Sequence, residues 1–311
     1  MLVGEKVASG SLLYSEVWDE IAPLSALVYS LIDYFFGRSQ IVYQLLAYFT
    51  ICFQVFIFNR FLLSSRAYAE NTYVPGLIYA LLASICYDMH TLTPFLMGMT
   101  FILLSLNNIF SHIEVRAKRD EDILNIGLYI GIATIIYLPY CLFALCTLVI
   151  FTFFTGTVPR RYALMTFGFL LPIVVSGGYF YLTDRLDDFV FSFLAPFTQI
   201  DKIWYVSFKD TMFLFVAPIA YFLLAFFRIL QGARLTNYQS RLTQTMLVWL
   251  LFGILFTLIA DSNSPNVYVV LVAPIAFYIA HYYLAKKRGL FTELSFLLFF
   301  ILIVTTSVLS H

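Results

Sequence analysis

The chain has 311 residues, 61% of them hydrophobic and only 12% charged, with 18 basic side chains balancing 18 acidic ones. At a mean hydropathy of +0.88, against about 25% charged residues in an ordinary soluble domain, this composition excludes a water-soluble globule and calls for burial in lipid. The basic residues are dispersed singly or in short runs, which excludes a nucleic-acid-binding stripe, so no nucleic-acid partner is expected.

In chain order, residues 1–20 are mixed and polar, with no basic stretch followed by an apolar core, so no cleavable signal peptide is read there. In Pro23–Phe36 the residues Leu24, Leu27, Val28, Leu31, Ile32 and Phe35 recur at helical spacing, while Ser25, Ser30 and Asp33 fall elsewhere on the wheel. That pattern predicts an amphipathic helix lying in the membrane interface. About twenty apolar residues cross the hydrocarbon core, and runs of this kind are read at Ile41–Leu62, Thr72–Tyr87, Thr93–Ile113, Tyr162–Leu182, Thr211–Leu230, Thr245–Ala260, Val267–Ala285 and Leu290–Leu309. The run Ile123–Thr155 is too long for one crossing and carries Pro139, which disfavours helical geometry in Leu138 before it and removes a backbone donor. Two short helices meeting there bring the expected count to about ten crossings. Leu186, Phe189, Val190, Phe193, Leu194 and Phe197 repeat the interfacial spacing in a second amphipathic segment. The expectation is an all-α, polytopic transmembrane bundle of about ten spans with two interfacial helices on its outer face.

Orientation follows from the bias of Lys and Arg toward cytoplasmic loops. With the N-terminus outside, Arg60, Arg66, Arg116, Lys118, Arg119, Arg160, Arg161, Arg228, Arg234, Arg241 and the Lys286–Arg288 run fall inside. Lys6, Arg38, Arg185, Lys202 and Lys209 are left outside, together with most of the acids. Both termini are thus expected on the outer face.

Gln54, Asn107, Asn108 and His281 are the main strongly polar side chains inside the runs. Amides in spans serve more often as interhelical glue than as ligands, and so few ionisable groups within the spans argue against an ion-coupled transporter. The cysteines, Cys52, Cys86, Cys141 and Cys146, sit in apolar runs without metal-ligand spacing. The outer face is richer: Glu16, Asp19 and Glu20 precede the first interfacial helix, and Asp88 and His90 share a short loop. A surface carboxylate there can act as general base on an incoming hydroxyl, and Arg38, Arg185, Lys202 or Lys209 can hold a phosphate. For any one of them a solvated loop charge is the leading reading; only convergence of several on one pocket changes that. No metal motif is visible and no cofactor is expected, although carboxylates not adjacent in sequence could together supply a site for a divalent cation.

Several of these stretches resemble the GT-C superfamily of multi-pass glycosyltransferases, which use lipid-phosphate-linked sugars. PLSALVYSLIDYFFGRSQIVYQLLAYF (Pro23–Phe49) is similar to its first outer loop, with a Pro-Leu start, an amphipathic helix and a Phe-Gly-x-Ser turn. Asp88, then GLYIGIATIIYLPY (Gly127–Tyr140) and RRYALMTFGFLLPIVVSGGYFYL (Arg160–Leu182), continue the likeness in order, so residues 16–182 read as a GT-C-like core, 183–210 as an outer amphipathic loop and 211–311 as four further spans. In that superfamily the catalytic acid follows a first transmembrane helix; here no span precedes Glu16, which leaves two readings, a start placed too late or a helix lost together with the catalytic acid. The small-residue helix carries Tyr137 where the superfamily often has Lys. ENTYVPGLIYALL, from Glu70, also resembles an uncharacterised family of Bacteroidota inner-membrane proteins, which implies a bacterial inner membrane.

The resemblance implies a protein that binds or transfers a lipid-linked sugar at the periplasmic face. Its implied catalytic acid is Asp19, with Glu16, Glu20 and Asp88 as substitutes, and its implied substrate contacts are Arg38, His90 and Arg185. The alternatives kept open are a non-catalytic scaffold working with other envelope proteins and, third, a lipid transporter.

Overall fold

The computed structural model describes residues 2–9, 13, 21–85, 90–113, 119–155, 158–198, 208–231, 235–260, 265–285 and 289–309. They form thirteen α-helices: α1 (Leu2–Ala8), α2 (Pro23–Phe36), α3 (Gln40–Ser64), α4 (Val74–Ala83), α5 (Pro94–Ile113), α6 (Asp120–Ile136), α7 (Leu142–Ile150), α8 (Pro159–Leu182), α9 (Leu186–Thr198), α10 (Phe208–Leu230), α11 (Asn237–Ile259), α12 (Val269–Ala285) and α13 (Leu290–Leu309).

Every apolar run read from the sequence carries a helix. Among the described residues, five segments are long and apolar enough to cross a membrane on those criteria alone: Gln40–Ser64, Pro94–Ile113, Pro159–Leu182, Asn237–Ile259 and Asn266–Leu284. The chain is a multi-pass helical membrane protein. The helix expected over Thr72–Tyr87 is shorter than that reading: α4 has 10 residues, about 15 Å at 1.5 Å per residue, or half the hydrocarbon thickness. The break at Pro139 is present. Helix α6 stops at Ile136, Tyr137 is extended at φ −156°, and a 3-10 turn over Leu138–Cys141 leads into α7. A π-helical turn, Phe151–Thr155, closes that segment.

Local chemistry accounts for several helix ends. Pro23 starts α2, where its missing N–H costs nothing, and Gly37 ends it at φ +64°, a conformation that favours glycine. Helix α11 begins eight residues before the expected Thr245, because Thr236 and Gln239 form a reciprocal capping box.

The core is aromatic and crosses between helices. Trp249 of α11 packs on Phe143 with ring centroids 4.6 Å apart, and Phe256 packs on Tyr140 at 4.7 Å. Helix α12 lies centrally, with 78% of its apolar stretch buried, whereas α8 is peripheral at 22%. Gln54 is fully buried and ties three helices: its amide N–H groups donate to the Leu96 carbonyl at 2.8 Å and Thr100 Oγ1 at 3.0 Å, and its Oε1 accepts from the Tyr79 hydroxyl at 2.9 Å. It is interhelical glue, with both ends of the amide satisfied.

Helices α6 and α8 meet along glycines. A Cβ at Gly127 would strike the Met165 carbonyl, one at Gly168 the Leu124 carbonyl, and one at Gly131 would lie 2.5 Å from the Phe169 carbonyl and 3.1 Å from Pro172. Without side chains there, the two backbones approach to van der Waals contact, the close packing small residues provide in membrane helices.

Candidate functional site

The glycine seam runs as far as Gly131, and α6 ends five residues later, at Ile136. Opposite Gly131 sits Pro172, inside α8, where a proline removes a backbone donor and its ring needs room. The missing side chain of Gly131 supplies that room. A cavity lies beside this end of α6, between α2 and α8.

The cavity, about 680 Å³, is lined by Pro23, Leu24, Ala26, Leu27 and Ser30 of α2, Ile135 of α6, Pro172, Val175, Ser176, Tyr179 and Phe180 of α8, and Val7, Leu13 and Arg185. Its walls are anchored separately. Ser25 of α2 donates its hydroxyl to the Ile136 carbonyl at 2.8 Å, satisfying an acceptor left over where α6 breaks. Helix α9 is held to α8 by Phe189, whose ring stacks on Phe180 at 4.7 Å and 3°. Val175 and Tyr179 are exposed, so the cavity opens outward along α8.

The turn between α8 and α9 positions the cation. The Arg185 N–H donates to the Phe180 carbonyl at 3.0 Å and the Asp184 N–H to the Tyr181 carbonyl at 3.1 Å, with Asp184 left-handed at φ +53°. This is a Schellman ending with aspartate in the place glycine usually takes. It sets Arg185 on the lining, half-buried, with no carboxylate within 4.0 Å among the described residues. An apolar trough with one guanidinium suits an amphiphile with an anionic head.

Solved structures share this arrangement of helices. ArnT from Cupriavidus metallidurans, bound to undecaprenyl phosphate, superposes with a TM-score of 0.62 at 15% identity, covering 89% of this chain and 53% of that one. Its apo form gives 0.61 at 16%, covering 89% and 52%. The Archaeoglobus fulgidus oligosaccharyltransferase, tethered to an acceptor peptide, gives 0.53 at 11%, covering 98% and 50%. The chain has a GT-C-like fold. It spans about half the length of these GT-C structures. No sequence-family model and no curated relative matches it.

Of the residues the GT-C resemblance singled out, Arg185 lines the cavity. Arg38 does not; its guanidinium lies 3.7 Å from the Glu5 carboxylate, both about half exposed. His90 packs its ring on Tyr48 of α3 at 5.0 Å, away from the lining. Glu16, Asp19, Glu20, Asp88 and Lys202 lie outside the described residues, as does the side chain of Lys209. Among the described residues no three His, Cys, Asp or Glu side chains group at ligand distance. The sequence reading missed Ser30, Ser176 and Tyr179 as site residues; they come together because α2 and α8 both pack on α6 and face each other across the cavity. Part of the amphipathic stripe of α2 faces outward: Leu27, Leu31 and Phe35 are 51%, 49% and 70% exposed, while Ile32 of the same stripe is buried together with Ser25 and Tyr29. Burial pushes the Tyr29 phenol above its ordinary range, and its hydroxyl donates to the Leu92 carbonyl at 3.1 Å.

Proposed function

We propose that this chain binds a polyprenyl-phosphate-linked sugar carrier, lipid chain along α2 and α8 and phosphate at Arg185, on the periplasmic side of a bacterial inner membrane with both termini periplasmic. The observation that carries the reading is Arg185, without a carboxylate partner among the described residues, at an otherwise apolar cavity. The likeness to ArnT, whose structure holds undecaprenyl phosphate, supports it. In the transferring version Asp19, or Glu16, Glu20 or Asp88 in its place, takes the proton of the acceptor hydroxyl.

A second reading, a non-catalytic scaffold among envelope proteins, is favoured by one observation: Arg38 is engaged with Glu5 and His90 with Tyr48, leaving Arg185 alone of the three on the lining. The test is titration of purified protein in nanodiscs with polyprenyl phosphate and with the uncharged polyprenol. Binding of the phosphate that weakens about ten- to a hundredfold in Arg185→Gln, as loss of a charge-assisted contact predicts, supports the site. Equal affinity for phosphate and alcohol refutes it. Amide substitution of the four acids, with sugar transfer as readout, then separates enzyme from scaffold.

A further inference from the structure

The Arg185 cavity has a blind end and an open side. At the blind end α6 and α8 close on each other: a Cβ at Gly131 would lie 3.1 Å from the Pro172 ring, and the two backbones stay in contact from there to Gly127 and Gly168. Among the described residues, Pro172 is the last lining residue of α8 in that direction. At the far end stands Arg185, on the turn that ends α8. Between them Val175 and Tyr179 belong both to the lining and to the exposed face of α8, so the trough is open along its side.

These limits set how much chain the trough takes. Its α8 wall runs from Pro172 to Phe180, a rise of about 12 Å at 1.5 Å per residue. An extended chain advances about 1.2 Å per backbone bond, hence about 5 Å per four-bond isoprene unit, so the wall spans roughly two to three units. Volume is a separate measure. At about 30 Å³ for each non-hydrogen atom, a cavity of about 680 Å³ holds a phosphate and roughly three to four isoprene units.

We infer that the site recognises only the phosphate and about the first three isoprene units of its lipid, and that the rest of the chain leaves through the open side, over Val175 and Tyr179, into the bilayer. The inference rests on the proposed lipid site and narrows its ligand class to prenyl phosphates of about three units or more, whatever their full length. Seated units gain dispersion contacts with α2 and α8. Units outside the trough only exchange one apolar surrounding for another, because lipid tails are as apolar as aliphatic side chains, so they add no affinity.

The experiment titrates the protein in nanodiscs with prenyl phosphates of one, two, three, four and eleven isoprene units and with the matching alcohols, each affinity expressed as a mole fraction in the disc bilayer. Affinity for the phosphates is expected to rise on the order of tenfold or more up to the third or fourth unit, then to stay level within about twofold to the eleventh. Ser176→Phe adds to the trough wall about as many non-hydrogen atoms as one isoprene unit holds, so the levelling moves one unit shorter. Should that variant fail to fold, the parent series decides. A steady rise from four units to eleven, a one-unit phosphate that binds as tightly as the longest, or a levelling unmoved in folded Ser176→Phe overturns the length limit. The phosphate site itself still stands in those cases if every phosphate outbinds its alcohol. Equal binding of phosphate and alcohol at every length removes the site, and the limit with it.

Discussion

Replacing Gly131 by alanine tests the packing on which the cavity depends. The added Cβ lies 2.5 Å from the Phe169 carbonyl, and ordinary contact begins near 3.4 Å, so α6 and α8 must separate by about 0.9 Å at that point. A gap of 0.5–1 Å forfeits roughly a quarter to a half of each dispersion contact along the seam, and forced overpacking costs about 1–3 kcal/mol. Alanine returns about 0.5–1 kcal/mol through its better helix propensity, leaving a net loss of about 1 kcal/mol. Gly178, on the same helix as Phe169, is the control: nothing lies within 4 Å of its Cβ, so Gly178→Ala keeps the propensity gain and loses nothing. The assay is denaturant unfolding of both variants in the same detergent, where the two should differ by the whole overpacking cost, about 1–3 kcal/mol. Gly131→Ala proving as stable as Gly178→Ala would refute the seam argument.

Gln54→Leu removes three hydrogen bonds between helices, each worth about 0.6 kcal/mol in a bilayer, so unfolding should show a loss of about 2 kcal/mol. Asp184→Gly, at a left-handed position, should stay within about 1 kcal/mol of the parent. Asp184→Val should cost about 1–3 kcal/mol and, by misdirecting Arg185, weaken phosphate binding without altering binding of the uncharged alcohol.

Much of the helical layout was legible because its causes are local. The spacing of Leu24, Leu27, Leu31 and Phe35 marked α2 with the ends it has, and Pro139 marked the break after Ile136. The early start of α11 was also written locally, in Thr236 and Gln239, but its polar first turns fell outside a search for apolar runs. Helix α1 was not legible, since residues 2–8 are mixed in character and read only as a polar stretch; the helix packs chiefly on α2. The cavity was less so: Ser30, Ser176 and Arg185 are brought together by the packing of α2 and α8 on either side of α6 and by a turn at Asp184, none of which leaves a motif. Arg38 looked equivalent to Arg185 by charge and sidedness, but Arg185 lines the cavity whereas Arg38 lies off it, beside Glu5.

The most direct measurement is photo-crosslinking with a polyprenyl phosphate carrying a photoreactive group in its first isoprene units, followed by peptide mapping. A lipid seated in the Arg185 cavity gives adducts on Leu24 and Leu27 of α2 and on Val175 and Tyr179 of α8, lost when Arg185 is replaced by Gln. Adducts confined to α10 and α13, or unchanged in Arg185→Gln, would contradict it.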